Sequence, residues 1–350
     1  MLVAARASVI VPTYNEAENI EGLVRRVCAA MPDAEILVID DDSPDGTAER
    51  ARELARNFPV RVIVRTEERG LATAALRGIA ESSCDVCVVM DADLSHPPEM
   101  IPELVRAVED GADLAIGSRY VSGGDIDTWP MGRRLVSRTG TALARPLTSA
   151  LDPLAGFFCL RRGLLAAVTL KPRGFKILLE ILARTRPARV MEIPIRFSDR
   201  ECGASKFGSF ERRSFLRQLW TLYRDLNAWP WRLLKFLATG AAGYVVHLAV
   251  LCALVEVGGL APMIAAVGAF SVAMTSNYAI NKQWTFRAGH VPLVRSYLVY
   301  AVGAIGGLAT QLGVMCLLAS LHYVLAASLG IAAGTAFTFL TSHRWAFAKR

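Results

Sequence analysis

The chain has 350 residues, 53% of them apolar and 20% charged, with a formal net charge of +7 and a mean hydropathy of +0.34. That length suits two domains rather than one. The apolar share argues against a purely soluble globule, and 20% charge with only 16 Pro and 27 Gly excludes a disordered or collagen-like chain.

The charge is unevenly placed. Residues 236–350 hold six Lys or Arg and one acid, Glu256, which leaves 33 bases and 31 acids in residues 1–235. The first part is charge-rich but nearly balanced, as in a soluble domain. The basic excess of the second part sits between apolar runs, so it points to membrane orientation and not to a nucleic acid partner. The seven cysteines, Cys28, Cys84, Cys87, Cys159, Cys202, Cys252 and Cys316, are scattered. Only Cys84 and Cys87 lie close together, no second pair completes a zinc site, and an odd count argues against a disulfide framework. They read as small buried hydrophobes. The opening MLVAARASVIVPTYNE has no long apolar run with a small-residue cleavage site, so no signal peptide is expected.

Residues 1–200 alternate short apolar runs with helical patterns. Strands are predicted over 8–11, 36–40, 60–64, 86–90 and 114–117, and helices over 17–31, 47–57, 71–82 and 98–110. This alternation predicts an α/β domain whose sheet is mostly parallel and covered by helices. Ligands bind beyond the carboxyl ends of strands in such sheets. The residues expected there are Pro12-Thr13-Tyr14-Asn15-Glu16, then Asp40-Asp41-Asp42-Ser43, then Asp91-Ala92-Asp93-Leu94-Ser95-His96, then Ser118-Arg119-Tyr120. Three of these four ends carry acids. Neither G-x-G-x-x-G nor G-x-x-x-x-G-K-[ST] occurs, so neither a dinucleotide fingerprint nor a P-loop accounts for the site. Carboxylates at strand ends without a glycine cradle suit a hard divalent cation that bridges phosphates, with Asp91 and Asp93 as its ligands.

Residues 209–226 follow. Phe215, Leu216, Leu219, Trp220, Tyr223 and Leu226 recur at helical spacing, with Arg212, Arg213, Arg217 and Arg224 on the remaining face. This predicts either a basic amphipathic helix lying in an anionic membrane interface or a soluble helix packed on the domain. Trp229-Pro230-Trp231 then reads as the turn into the membrane. Four stretches, 236–255, 260–280, 296–321 and 323–342, are long and apolar enough to span a bilayer, which takes about 20 residues. Four buried helices of a large soluble core would not need such length or such scarcity of charge. Lys282, Arg287 and Arg295 lie in the second connection, and Arg344, Lys349 and Arg350 follow the last span. These basic residues fall on alternate sides, so the second connection, the C-terminus and the first domain are expected to be cytoplasmic. The second and fourth spans end in the related strings NKQWTF and SHRWAF, which suggests two helical hairpins with matched ends. Asn277, Asn281 and Gln311 are polar residues in or near spans; they either join helices or handle lipid.

The strings VIVPTYNE, VIDDDSPDGT, MDADLSHPPE, GSRYVSGG, DPLAGFF, GFKILLE and GASKF occur in this order over about residues 7–208. In this the chain resembles the polyprenyl (dolichyl) phosphate mannose synthases. The second half, with its N-K-x-W-T-F end, is similar to GtrA-type four-helix membrane domains. The resemblance implies an A-type glycosyltransferase fold (Rossmann-like, mostly parallel sheet) followed by an all-α four-helix transmembrane domain. The implied domains are 1–208 for the cytoplasmic transferase, 209–232 for interfacial amphipathic helices and 233–350 for the four spans. The activity implied is inverting transfer of mannose from GDP-mannose to a membrane polyprenyl or dolichyl phosphate. The cofactor implied is a divalent metal, Mg²⁺ or Mn²⁺.

By position, the resemblance puts Pro12, Tyr14, Glu16, Ile39 and Asp41 at the guanosine end of the donor. It puts Asp91, Ala92 and Asp93 at the metal and diphosphate, and Arg119, Arg134, Arg200 and Lys206 at the donor and acceptor phosphates. Two departures stand out. Ser95 occupies a position where the family usually has Gln; as a metal ligand it would offer one weaker oxygen. Asp42 stands where D-D-G-S members have Gly. Other readings of the same parts are a polyprenyl phosphate glucosyltransferase using UDP-glucose, and a lipid flippase or membrane scaffold. A processive polysaccharide synthase would carry Q-x-x-R-W, which Gln218-Leu219-Trp220 does not match. The expected location is a prokaryotic plasma membrane, crossed several times.

Overall fold

The computed structural model describes residues 6–126, 129–171, 175–198 and 209–348. The chain forms two compact units, Met1–Leu226 and Asn227–Arg350.

The first unit opens with four β/α repeats and a fifth strand. They are β1 (Ala7–Thr13), α1 (Ile20–Ala30), β2 (Ala34–Asp40), α2 (Thr47–Leu54), β3 (Val60–Val64), α3 (Leu71–Glu81), β4 (Val86–Val89), α4 (Ile101–Glu109) and β5 (Leu114–Ser118). Each strand matches its predicted run to within two residues. Helix α1 starts three residues later than its pattern, because the 16–19 segment forms a turn in which Asn19 N donates to Glu16 O. Beyond β5 come β6 (Asp125–Ile126), α5 (Met131–Ala144), β7 (Phe158–Arg161), α6 (Ile177–Thr185), β8 (Val190–Pro194), β9 (Arg196–Phe197) and α7 (Ser209–Asp225).

Seven strands form one sheet in the order β3-β2-β1-β4-β7-β5-β8, and β6 pairs with β9 in a small second sheet. All pairings in the large sheet are parallel except those of β7, which runs antiparallel to both β4 and β5. Every residue of β1 is buried, as expected of a strand covered on both faces. Its side chains alternate between two cores. Val9 and Val11 meet Ile20, Leu23, Val27, Leu104 and Val108 of α1 and α4. Ile10 meets Ala75 and Ile79 of α3 and, with Ile116, the Ile177, Leu178 and Ile181 side of α6. Helix α3 approaches the sheet so closely that a Cβ on Gly78 would strike Ile10 and Ile39.

Helix α7 divides its apolar residues. Leu219 and Leu222 are buried with Ala144, Leu154, Leu179 and Ala183 of the first unit, while Leu216 and Trp220 remain exposed. Its phenolic Tyr223 donates to Leu143 O at the end of α5.

The second unit contains α8 (Trp229–Cys252), α9 (Pro262–Ile280), α10 (Leu293–Leu317) and α11 (Tyr323–Thr341). With their continuations, these give four helices long and apolar enough to cross a membrane, at Trp229–Val257, Pro262–Thr285, Leu293–Leu317 and Leu325–Ala346. The first begins seven residues before the predicted span. Trp229-Pro230-Trp231 is thus the first turn of the helix and not a turn before it. Pro is tolerated there because first-turn N–H groups have no helical partner.

The matched strings have matched structure. Asn281–Thr285 and Ser342–Ala346 are both π-turns. They close with Phe286 N donating to Asn281 O and Phe347 N to Ser342 O, each at 2.9 Å. Phe286 and Phe347 then stack on each other at 4.8 Å. Asn281 joins helices: its amide donates to Tyr300 Oη at 3.3 Å and accepts from Thr285 at 2.8 Å. Asn277 lies against Gly243, and Gln311 against Gly330 and Gly334, positions where a larger residue would collide. Cys84, Cys87 and Cys159 are buried as expected and Cys28 is half-buried, whereas Cys252 and Cys316 are exposed on the long apolar helices; Cys202 lies outside the described residues.

The α3–sheet contact yields a stability test. Gly78→Val adds three carbons to a filled contact and gains only a few tenths of a kcal/mol in helix propensity. Overpacking of this kind costs about 1–3 kcal/mol, so the variant should unfold at lower temperature or denaturant than wild type. An unchanged midpoint would mean that α3 does not sit this close to Ile10.

Candidate active site

The carboxyl ends of β2, β1, β4 and β5 share one edge of the sheet. Chain order reverses between β1 and β4, the place where open α/β sheets bind ligands. Because β7 is antiparallel, its starting end lies at this same edge. The segment 152–157, from the DPLAGFF string, is thereby delivered to the acids and to Arg119.

At the β4 end, Asp93 is nearly buried and accepts from Ser95 Oγ at 2.6 Å and Ser95 N at 3.2 Å. Leu94 between them has φ +59°, a left-handed conformation unfavourable for a branched side chain. Ser95 is therefore seen orienting Asp93 through a donated hydrogen bond, and its side chain is buried. The Asp91 side chain is 32% exposed and faces His96 Nε2 at 3.3 Å. The His96 ring packs between Phe157 and Phe197, and among the described residues its buried Nδ1 has no hydrogen-bond partner. Gly156 presses on the carboxylate: a Cβ there would lie 2.6 Å from Asp91 Oδ2.

Two carboxylates on one strand end are hard oxygen donors of the kind Mg²⁺ and Mn²⁺ take. Among the described residues no group of three His, Cys, Asp or Glu could hold a metal. That donor set fits a cation that takes its remaining ligands from phosphate oxygens and water.

The acids after β2 have different work. Asp40 is fully buried and accepts from Thr13 Oγ1, Ser43 N and Ser43 Oγ at 2.6–2.8 Å. Asp41 is buried with Arg65 and also accepts from Gly70 N at 2.6 Å, so its carboxylate fixes the 65–70 loop. Asp42, the family's glycine position, has φ +56°, which Asp tolerates better than most residues. It pairs with Arg69 at 2.9 Å, and that pairing offsets its added charge. Burial works against the charge of Asp45, but hydrogen bonds from Thr47 and Ala17 outweigh it and hold its carboxyl below the usual range. Pro12 and Ile39 are buried register partners on β1 and β2. The Ile39 side chain belongs to the core, so only its backbone can face a nucleoside. Tyr14 is exposed beside them. Glu16 N donates to Thr47 Oγ1, and its carboxylate accepts from Asn19.

After β5, the Arg119 side chain turns inward and is 8% exposed. Its Nε and Nη2 each donate to Asp152 at 2.8 Å. Its guanidinium lies 5.4–5.6 Å from the rings of Tyr120, Trp129 and Phe197. Burial opposes its charge, but Asp152 outweighs this and keeps its pKa above the ordinary value. Arg119, Arg134 and Arg138 line one open cleft. There Arg134 Nη2 donates to Ile126 O at 2.9 Å. Lys176 Nζ donates to Leu154 O at 2.8 Å, and burial, then the nearby Arg119, push its pKa down to about 8.

Of the residues expected at the site, Asp91, Ala92, Asp93 and Ser95 follow β4, Arg119 follows β5, and Arg134 is on α5. Pro12 and Ile39 fall on β1 and β2, and Tyr14, Glu16 and Asp41 on the segments that follow these strands. Arg200 and Lys206 lie outside the described residues. Asp152, Gly156, Lys176, His96 and Arg138 were given no role by the sequence. The first four lie within strings that carried the resemblance; the signal was present without a role attached.

Gly156→Ala should push the Asp91 carboxylate aside and weaken Mn²⁺ binding about 10- to 100-fold, the usual effect of disturbing a metal ligand's support. Electron paramagnetic resonance of free Mn²⁺ reads this directly. Gly163→Ala, where a Cβ meets nothing within 4 Å, serves as the control.

Comparison with known proteins agrees with this architecture. Residues 8–168 match the family described as "Glycosyl transferase family 2", and residues 235–350 match "GtrA/DPMS, transmembrane domain". The second unit is therefore a multi-pass membrane domain. A dolichol-phosphate mannosyltransferase of Pyrococcus furiosus is 40% identical over 335 residues, 93% of this chain and 95% of that one. The dolichol-phosphate mannosyltransferase of Saccharomyces cerevisiae is 43% identical over 231 residues, 62% of this chain and 86% of its own. The polyprenol monophosphomannose synthase of Mycolicibacterium smegmatis is 45% identical over 213 residues, 57% of this chain and 80% of its own. With one relative matched along almost the whole of both chains, the chain belongs to the dolichol-phosphate mannosyltransferases, in the form that joins a glycosyl transferase family 2 domain to a GtrA/DPMS membrane domain.

Proposed function

We propose that this enzyme transfers mannose from GDP-mannose to the phosphate of a membrane polyprenyl or dolichyl phosphate, with inversion, giving the β-linked lipid and GDP. The observation that carries this reading is the end-to-end similarity to the Pyrococcus furiosus mannosyltransferase. A site that sets carboxylates on one strand beside arginines on the next supports it.

The acceptor phosphate is already anionic at neutral pH, so its oxygen attacks the sugar C1 without a strong general base. One C–O bond forms to the lipid phosphate as the C1–O bond to the diphosphate breaks, and GDP leaves with the electron pair. Direct displacement inverts the anomeric centre. Tyr14, Glu16 and Asp41, with the backbone at Pro12 and Ile39, are assigned to the nucleoside end. Asp91 and Asp93, with the Ala92 backbone between them and Ser95 supporting Asp93, are assigned to a divalent ion, Mg²⁺ or Mn²⁺. When bound, that ion supplies Lewis-acid stabilisation of the leaving diphosphate. Arg119 and Arg134, with Arg200 and Lys206, are assigned to the donor and acceptor phosphates. Arginine suits this task because its planar fork meets phosphate oxygens through two parallel bonds.

The exposed Leu216 and Trp220 of α7, together with its arginines, support an interfacial position for residues 209–226. Lys282, Arg287, Arg295 and Arg344 flank the same ends of the spans, opposite Glu256. The positive-inside rule then assigns the transferase domain and C-terminus to the cytoplasmic side of a prokaryotic plasma membrane.

The test incubates the full chain with polyprenyl phosphate, Mg²⁺ and labelled GDP-mannose or UDP-glucose, and counts label in the lipid extract. Label from GDP-mannose alone, abolished by EDTA, is expected. Label from UDP-glucose alone would overturn the donor and keep the mechanism. No label from either would return weight to a lipid-moving or scaffolding role. Asp91→Ala should remove several kcal/mol of charge stabilisation, at least about 10²-fold in rate; full activity in that variant would refute the metal assignment.

A further inference from the structure

We propose that Asp152 is a positioning residue for transfer, that it acts on the acceptor phosphate only through Arg119, and that Glu192 holds it in place. This rests on the reading of Arg119 as a phosphate-binding residue.

One carboxylate takes three N–H groups from one residue. Asp152 Oδ2 accepts from both the backbone N and Nε of Arg119, at 3.0 and 2.8 Å, and Oδ1 accepts from Nη2 at 2.8 Å. The side chain is thus fixed relative to its own backbone, which leaves it one orientation. Tyr120, Trp129 and Phe197 close on the guanidinium and deny it alternatives. Asp152 is fully buried, so it cannot reach a ligand in the cleft. Arg119 does line that cleft, and among the described residues no hydrogen bond engages its Nη1. The edge turned away from Asp152 is the one left for an anion.

Asp152 is itself held. Glu192 Oε1 accepts from Asp152 N at 2.9 Å and Oε2 accepts from Leu151 N at 2.8 Å. Glu192 stands on β8 opposite Ile116 of β5, two residues before Ser118 and three before Arg119. The same pair of strands therefore sets the positions of Arg119 and of the loop that orients it. A buried arginine without this partner would carry an uncompensated charge and swing toward water. Asp152 both keeps the cation inside and aims it.

The experiment is a double-mutant cycle on the full chain, with R119Q, D152N and the R119Q/D152N double variant. Asn keeps the shape and the fold but sets an NH₂ group against the guanidinium. Two quantities are read: polyprenyl phosphate affinity without donor, and kcat and KM for each substrate. D152N should weaken acceptor binding at least tenfold and lower kcat by up to about 10²-fold, as a misplacement near 1 Å does. The donor KM should change little. In the R119Q background D152N should add no further loss. E192Q keeps one of the two acceptors and should show the same selective effect, a few-fold in size. Wild-type acceptor affinity in D152N would overturn the proposal. So would losses that add across the cycle, or a lowered melting temperature with unchanged constants for the folded enzyme. A wild type that binds polyprenyl phosphate yet takes nothing from GDP-mannose would refute the donor assignment alone, and the binding cycle would still decide this inference.

Discussion

The site depends on one reversed strand. Were β7 parallel to its neighbours, the segment before it would emerge at the amino ends of β4 and β5, far from the acids. Running antiparallel, it brings Asp152 to Arg119 and Gly156 to Asp91 in six residues of chain. The same reversal explains the glycine. A loop that must pass beside a carboxylate at 2.6 Å from its own missing Cβ can carry no side chain there. The electrostatic layout of the site is thus a consequence of sheet topology.

That layout separates the charges by strand. The β4 end presents carboxylates and the β5 end presents a cation, with the start of β7 between them, pinning Arg119 and crowding Asp91. Acids near the rim are tied up: Asp40 by Thr13 and Ser43, Asp41 by Arg65 and Gly70, Asp152 by Arg119. Each would otherwise repel a phosphate. Sequence counts of acids at strand ends overstate the negative charge a ligand meets, because half of those carboxylates serve the loops.

Much of this was legible in the chain. Apolar runs of β-branched residues ended in D-x-D or G-S-R, and that alone put Asp91, Asp93 and Arg119 on one rim. The π-turned ends of the second and fourth membrane helices were visible as related strings. What could not be read depends on contacts distant in sequence. Nothing local says that β7 runs backwards, that Glu192 holds Asp152 across 40 residues, or that Ile39 turns into the core. Residues 145–197 lack clean periodicity because their strands are short and are defined by their neighbours. The two departures from the family pattern also became physical only in three dimensions. Asp42 sits in a left-handed turn and meets Arg69, and Ser95 supports Asp93 by donation.

A phosphate acceptor changes what such a site must supply. Transfer to a hydroxyl calls for a base near the nucleophile, and a free carboxylate is the usual choice. An acceptor that is already an anion would be repelled by that carboxylate. On the β5 side, among the described residues, the cleft is lined by three arginines against one carboxylate, Asp125, and the fully buried Asp152 beside it is neutralised by Arg119. The free edge of a cation held from behind is well suited to an incoming anion, because its orientation is set before the ligand arrives. The ion pair adds little net charge to the cleft, so its contribution lies chiefly in aim. That is why position 152 needs both carboxylate oxygens as acceptors: Asn keeps the length and shape, but it turns a donor toward the guanidinium and so loses the aim.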